Sequence, residues 1–92
     1  MNTTRILKYS LIPGAASTEI TCKVRKLLDI QTQKGKPVIW IETADDIPEQ
    51  TFHIVAVGTG WELPTDIMRD MKYIASVQDS EGFVWHYYRG TK

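Results

Sequence analysis

Apolar and polar residues alternate with a period of two along most of the chain, and this period is that of a half-buried β-strand. Residues 5–12 place Leu7, Tyr9 and Leu11 on one face of the first predicted strand, which a Pro-Gly pair then ends. A short β-prone segment follows at residues 17–22. The N-terminal quarter of the chain therefore predicts two strands.

The next segment predicts a β-hairpin. Residues 26–33 alternate so that Leu28, Ile30 and Thr32 share one face. A Lys-Gly-Lys-Pro turn signal separates them from residues 38–43, which are apolar on both faces. We expect the second arm of this hairpin to lie deep in the domain.

A second strand that is apolar on both faces is predicted over residues 51–57, after an acidic loop at residues 44–50. We interpret the Gly58-Thr59-Gly60 run, which ends this strand, as a tight turn. It does not fit a phosphate-binding loop, because such a loop would need further glycines and a full helix after them. A short helix of about two turns is predicted next, from four apolar residues at helical spacing: Leu63, Ile67, Met68 and Met71.

The last hairpin contains the densest aromatic segment of the chain. Residues 72–78 form its first strand, a turn at residues 79–82 follows, and residues 83–89 form its second strand. Alternate residues of the second strand form two sets, Phe83, Trp85 and Tyr87 on one face and Val84, His86 and Tyr88 on the other. Both faces need cover, so we expect a central strand, or one sandwiched between the core and a second chain, with Phe83, Val84 and Trp85 in the core.

Together these elements predict a mainly antiparallel all-β fold of six or seven strands with one short helix, arranged as a small sandwich or partly closed barrel. The chain has 92 residues, which we interpret as a single domain over residues 1–92. A domain of this size buries only about two-thirds of the surface that its unfolded chain exposes. Homo-oligomerisation would compensate, and we expect it.

The composition of the chain limits the kinds of site that it can contain and the cellular compartment that we expect for it. The chain has one cysteine, which excludes an internal disulfide and a four-cysteine zinc site. The first residues lack the apolar core of a signal peptide, and no run reaches the length of about 18 apolar residues that a membrane span needs. We therefore expect a cytoplasmic protein without a membrane partner.

Charge is balanced overall but unevenly distributed. Residues 1–36 carry a net charge of +5 and residues 37–70 one of −6, within a total of zero. Such segregation supplies a basic patch for an anion, or lets opposite segments pair across a sheet or between subunits. A nucleic-acid mimic would be strongly acidic overall, and we do not expect nucleic acid as a partner.

No residue constellation predicts catalysis. Cys22 lacks a neighbouring base, and His53 and His86 lie within apolar strand patterns that fit hydrogen-bonded structural histidines better than metal ligands. We predict a protein that is not an enzyme and has neither a metal nor a cofactor.

Trp61 is the residue singled out for binding. It follows the glycine turn, where an indole beside exposed backbone N–H groups can anchor a ligand; the alternative is an indole that packs as a lid over the end of the sheet. The candidate ligand-binding residues are Arg5, Thr59, Gly60, Trp61, Arg69, His86, Tyr88 and Arg89.

Several segments resemble a family of short, uncharacterised bacteriophage and prophage proteins with a C-terminal Phe-Val-Trp-His strand. They are Ile6-Leu7-Lys8-Tyr9, residues 28–40, Phe52-His53-Ile54-Val55, Val57-Gly58-Thr59-Gly60, Tyr73-Ile74-Ala75-Ser76-Val77 and Gly82-Phe83-Val84-Trp85-His86. The resemblance covers most of the chain in the same order. It implies a viral accessory protein in the host cytoplasm and supplies no catalytic residue.

From that resemblance we expect a host-defence antagonist that sequesters a small anionic nucleotide-derived immune signal as an oligomer. Two alternatives stay open. One is an inhibitor that binds a host defence protein, such as a CRISPR effector, through a sheet edge or the acidic Asp45-Asp46 loop. The other is a virion or assembly component.

Overall fold

The structure is a computed structural model that describes residues 2–14 and 16–90. The described residues form seven strands and one short helix. In chain order the elements are β1 (Thr4–Ser10), β2 (Ser17–Cys22), β3 (Val24–Gln33), β4 (Lys36–Ala44), β5 (Gln50–Gly58), α1 (Thr65–Arg69), β6 (Lys72–Gln78) and β7 (Val84–Arg89).

The strands form two sheets in which every pairing is antiparallel. One has the order β1-β4-β3 and the other the order β2-β5-β7-β6. The prediction of a mainly antiparallel all-β fold with one short helix is therefore confirmed. The three interior strands, β4, β5 and β7, are those whose sequences are apolar on both sides.

Both sheets contribute to one hydrophobic core, so the domain is a small sandwich and not a closed barrel. Ile39 and Ile41 from β4 and Ile54 from β5 are among its fully buried side chains. The Cα atoms span 47 × 34 × 15 Å, a flattened shape that two stacked sheets produce. Among the described residues no helix has the length and apolar character needed to cross a membrane.

The predicted hairpin of β3 and β4 is present and closes through a two-residue turn. Lys34 and Gly35 have φ angles of 51° and 78°. Positive φ at both central residues defines the type I′ turn, whose twist matches that of the flanking strands. Gln33 and Lys36 consequently pair directly.

Strand β3 departs from the predicted alternation. Its pairing with β4 shifts between Val24 and Lys26 and again between Leu27 and Asp29, so each interval holds one extra residue. Val24 and Ile30 are buried and Leu27 packs against the same core. The bulge therefore turns Leu28 outward, and the prediction that Leu28 shares the core face of Ile30 is wrong.

Strand β1 is more exposed than its alternating pattern predicts. Leu7 is 40% exposed, and within the strand only Tyr9 is half-buried. Leu11 is buried, but it lies beyond the end of the strand. The cause is position, because β1 is the outermost strand of its sheet.

Helix α1 is present at the predicted place but spans only five residues. It follows Pro64, carries Asp66 in its first turn and has no buried residue. Met68 is half-buried and Ile67 is exposed, so the helix is only partly covered.

In the part of the chain that the structure describes, the basic and acidic segments form an ion pair across the three-stranded sheet. Arg25 Nε of β3 lies 3.3 Å from Glu42 Oε2 of β4. Both side chains are partly solvated, so the pair contributes only about 0–1 kcal/mol. The basic and acidic segments are therefore neighbours in the sheet, and the ion pair adds little to its stability.

Candidate functional site

Trp61 is positioned by the turn at the end of β5. Gly60 has a φ of +85°, and the Trp61 backbone N–H donates to Gly58 O at 3.3 Å. The indole folds back over Gly58 so closely that a Cβ atom there would lie 2.5 Å from Trp61 Cε2. Only glycine at position 58 permits this placement. The glycine run forms the predicted tight turn.

A second tryptophan supports the first. The rings of Trp61 and Trp85 have centroids 5.6 Å apart and an interplanar angle of 86°, an edge-to-face contact. Trp85 packs against the core, and its Nε1–H donates to Asp79 Oδ2 at 2.9 Å. The Trp61 side chain is nevertheless 49% exposed. It packs over the end of the sheet and remains accessible to a ligand.

These rings border a cavity of about 310 Å³, which we call the aromatic cavity. It is lined by Gly58, Thr59, Trp61, Phe83, Val84 and Trp85. None of these side chains is charged. An occupant would contact aromatic and aliphatic surface with one hydroxyl group at its margin.

The aromatic cavity includes two residues expected in the core. Phe83 is 60% exposed and Val84 is 37% exposed, so the prediction that both are core residues is wrong. Phe83 precedes the first residue of β7, and Val84 lies on the outer face of the sheet. Trp85 is half-buried against the core, and Tyr87, two residues further along the same face, is fully buried.

His86 is the centre of a chain of side-chain hydrogen bonds. The Thr59 hydroxyl donates to the Val84 carbonyl at 3.4 Å, since a carbonyl can only accept. Thr59 Oγ1 is also hydrogen-bonded to His86 Nε2 at 2.7 Å. On the other side of the ring, Ser76 Oγ is hydrogen-bonded to His86 Nδ1 at 2.7 Å and to the Tyr73 hydroxyl at 2.7 Å.

This chain occupies both ring nitrogens of His86. The imidazole therefore ties the turn after β5 to strands β6 and β7, as a structural histidine does, and has no free nitrogen for a ligand. His53 lies elsewhere on the sheet, with Nε2 3.3 Å from Glu19 Oε2. Within the described ranges, 2–14 and 16–90, no three His, Cys, Asp or Glu side chains are placed to hold a metal ion.

The remaining candidate residues are dispersed. Tyr88 lies on the outer face of the four-stranded sheet, where its ring meets that of Tyr73 at a centroid distance of 5.6 Å. Arg89 points to the other face, with its guanidinium 4.7 Å from the centre of the Phe52 ring. Arg69 ends helix α1 and Arg5 lies on β1 in the other sheet. The structure thus brings Thr59, Gly60, Trp61 and His86 together and separates the arginines.

Arg5 borders a second concavity, between β1 and β2, with a volume of about 430 Å³. We call it the β1–β2 groove; its lining includes Leu7, Tyr9, Cys22 and Lys23. Burial raises the pKa of the Cys22 thiol, and its hydrogen bond with Tyr9 opposes that rise. The thiol is therefore protonated at neutral pH and is not an activated nucleophile.

Ser76 and Tyr73 were not recognised from the sequence. The predicted four-residue turn, 79–82, would set Ser76 opposite Trp85, but Gln78 pairs with Val84 across five residues, 79–83, and Ser76 therefore pairs with His86. The extra residue in the turn is the reason that the predicted register missed this contact. Tyr73 is displaced further by a bulge near Ile74, which shifts the register again.

A family model described as a domain of unknown function, DUF7352, matches residues 2–92. No curated protein and no solved structure matches the chain.

Proposed function

The chain belongs to the family described as DUF7352, and from that premise and the aromatic cavity we propose that it is a non-enzymatic binding protein of phage type. In this proposal the protein is an oligomer in the host cytoplasm, and it antagonises host defence by sequestering a nucleotide-derived signal. The phage setting comes from the resemblance of its C-terminal strand and hairpins to bacteriophage proteins. The binding site in this proposal is the aromatic cavity.

The observation that carries the proposal is the exposed pair of aromatic rings at the mouth of the aromatic cavity. Trp61 and Phe83 present large apolar surface to solvent, and Trp85 fixes the Trp61 indole from behind. Stacking of one base on an aromatic side chain contributes about 1–3 kcal/mol. A cavity of about 310 Å³ with this lining is suited to a nucleobase.

The lining also predicts which part of the ligand is recognised. Because no lining residue is charged, the base would make the principal contacts, and the phosphates would extend toward solvent. Arg69, in the last turn of α1, is the candidate cation on the segment that follows Trp61. Affinity should therefore depend more on the base than on the number of phosphates.

A second candidate function has its own support. Glu62 and Asp66 follow Trp61, and Glu81 lies in the turn before Phe83, so acidic residues flank the aromatic cavity in sequence. An apolar centre with acidic neighbours is suited to a protein partner that offers an apolar side chain among basic ones. Direct inhibition of a host defence protein is this second candidate.

Calorimetric titration with a panel of cyclic nucleotides and ADP-ribose-type compounds tests the first candidate. We expect binding by at least one compound, weakened about 5- to 150-fold by Trp61→Ala, which removes one stacking surface. Ile67→Ala is the matched control, since Ile67 is an exposed apolar residue that does not line the aromatic cavity.

Failure of every compound to bind below about 1 mM would refute the nucleotide proposal. The second candidate then predicts a stoichiometric host protein, recovered with the wild-type chain and lost with Trp61→Ala. If the Trp61→Ala variant recovers the same host protein in the same amount as the wild-type chain, the aromatic cavity has no part in either function.

A further inference from the structure

Strand β1 has a free edge whose backbone groups can be assigned residue by residue. Asp45 N–H donates to Thr3 O at 3.1 Å, and Leu11 N–H donates to Pro37 O at 3.0 Å. Odd-numbered residues of β1 therefore face β4, and even-numbered residues face away from it, because successive residues of a strand alternate. Thr4, Ile6, Lys8 and Ser10 direct their N–H and C=O groups to the open side.

This edge lacks the features that usually prevent strand addition. Its pairing with β4 is regular from Thr4 to Ser10, without a bulge or a proline. The one lysine at its centre is directed inward, since Lys8 Nζ donates to Gln33 Oε1 at 2.8 Å on the far strand of the sheet. Ile6 is 60% exposed.

The other outer strands differ. Strand β3 contains two bulges and lies beside β6, to which it is joined by the Thr32 hydroxyl donating to Gln78 O at 3.1 Å. Strand β6 carries its own register shift near Ile74. Strand β2 is crossed at its start by the segment after β1, where Ile12 N–H donates to Thr18 Oγ1 at 2.9 Å. Among the outer strands of the described residues, only β1 combines regular geometry with exposure along nearly all its length.

We propose that a second copy of this chain pairs with the free edge of β1, antiparallel and with Leu7 on the two-fold axis. In this register the outward-facing backbone groups of Thr4 and Ile6 exchange hydrogen bonds with those of Ser10 and Lys8 of the second copy. All of β1 is then paired on both sides, and the two three-stranded sheets join into one continuous sheet.

The side chains are complementary in this register. Leu7 meets Leu7 of the second copy at a non-hydrogen-bonded position, where Cα atoms approach to about 4.5 Å. Arg5 lies opposite the ring of Tyr9, a cation–π arrangement, and Ile6 lies opposite the aliphatic stem of Lys8. No like charges stand directly opposite each other, although both strands are basic.

The inference deepens the proposed function by naming the oligomer and its interface. It also explains why Leu7 remains exposed in the isolated chain. A single strand pair buries less than a standard interface, so the dimer should form with a dissociation constant of roughly micromolar to millimolar size.

Because Leu7 would lie on the two-fold axis, charged substitutions at this position test the interface. The oligomeric state of each variant is measured by size-exclusion chromatography with light scattering, without any ligand. The wild-type chain should be dimeric at high concentration. Leu7→Glu and Leu7→Lys should each be monomeric, because each places two like charges together, with dissociation constants raised at least about tenfold. An equimolar mixture of the two variants should restore a dimer.

Ile67→Glu is the matched control, because it adds a charge at an exposed apolar residue away from β1 and should leave the dimer unchanged. Circular dichroism establishes that each variant is folded. A wild-type chain that is monomeric throughout the concentration range, or a dimer that Leu7→Glu leaves intact, overturns the inference. Nucleotide binding is measured in a separate titration. A monomer that binds nucleotide would refute only the proposed dimer interface, and a dimer that binds no nucleotide would refute only the proposed ligand.

Discussion

At the scale of single residues, Gly58 controls the position of Trp61. Alanine in a strand is ordinarily more favourable than glycine by about 0.5–1 kcal/mol. At position 58 its methyl group would lie 2.5 Å from the indole, so the overlap outweighs this gain. We expect Gly58→Ala to destabilise the protein by about 1–3 kcal/mol and to displace Trp61.

A double-mutant cycle measured by denaturant unfolding checks this prediction. In the Trp61→Ala background the overlap is absent, so Gly58→Ala should become neutral or stabilising. Gly14→Ala is the control: its φ of +78° makes alanine unfavourable, and no atom of Trp61 lies within 4 Å of the position that its Cβ would take. An equal cost of Gly58→Ala in both backgrounds would show that the indole does not rest on Gly58.

At the scale of elements, Asp79 organises the turn between β6 and β7. Its Oδ1 accepts from the backbone N–H groups of Glu81 and Phe83, and its Oδ2 accepts from Trp85 Nε1. The Trp85 hydrogen bond and these backbone bonds lower the pKa of the Asp79 carboxyl below its ordinary value. Ionised Asp79 therefore stabilises the hairpin.

The sign of the pH dependence follows from that lowered pKa. The stabilisation is complete above the ordinary carboxyl pKa and is lost as the pH falls through the lower pKa of the folded state. We expect Asp79→Asn to lower the Tm at neutral pH, and the difference from wild type to shrink in acid. Thermal unfolding monitored by circular dichroism from neutral pH to about pH 2 measures it. A difference that does not change with pH would assign the effect to packing alone.

The elements also mark the limit of what the sequence predicts. Strands, hairpins and the interior position of β4, β5 and β7 follow from apolar period and turn residues, which are local properties. The bulges of β3 do not, because they depend on the pairing with β4. Of the residues that line the aromatic cavity, Thr59 and Trp61 were predicted as ligand-binding residues from the sequence; Phe83 is part of the cavity because β7 begins one residue later than the aromatic run.

At the scale of the whole molecule, Cys22 reports the integrity of the sandwich. Its side chain is buried within the core, and burial raises its pKa. We expect iodoacetamide to modify native Cys22 about a hundredfold or more slowly than denatured Cys22 at neutral pH, since reaction requires opening of the fold.

Mass spectrometry of timed samples follows that reaction, and Cys22→Ala provides the unlabelled control. The rate should rise with denaturant in parallel with global unfolding. Native modification as fast as that of the denatured chain would mean that the reagent reaches the thiol through the β1–β2 groove, without opening of the sandwich.

The two bulges of β3 have a consequence for changes in chain length. In a regular strand, loss of one residue exchanges the core face with the solvent face for all residues beyond it. Removal of Leu28 would instead convert a bulge into regular pairing, with Leu27 and Ile30 still directed to the core. Removal of Arg25 would convert the other bulge into regular pairing in the same way. Strand β3 can therefore lose a residue at these two places without exchange of its faces, and evolution can vary the length of the domain there.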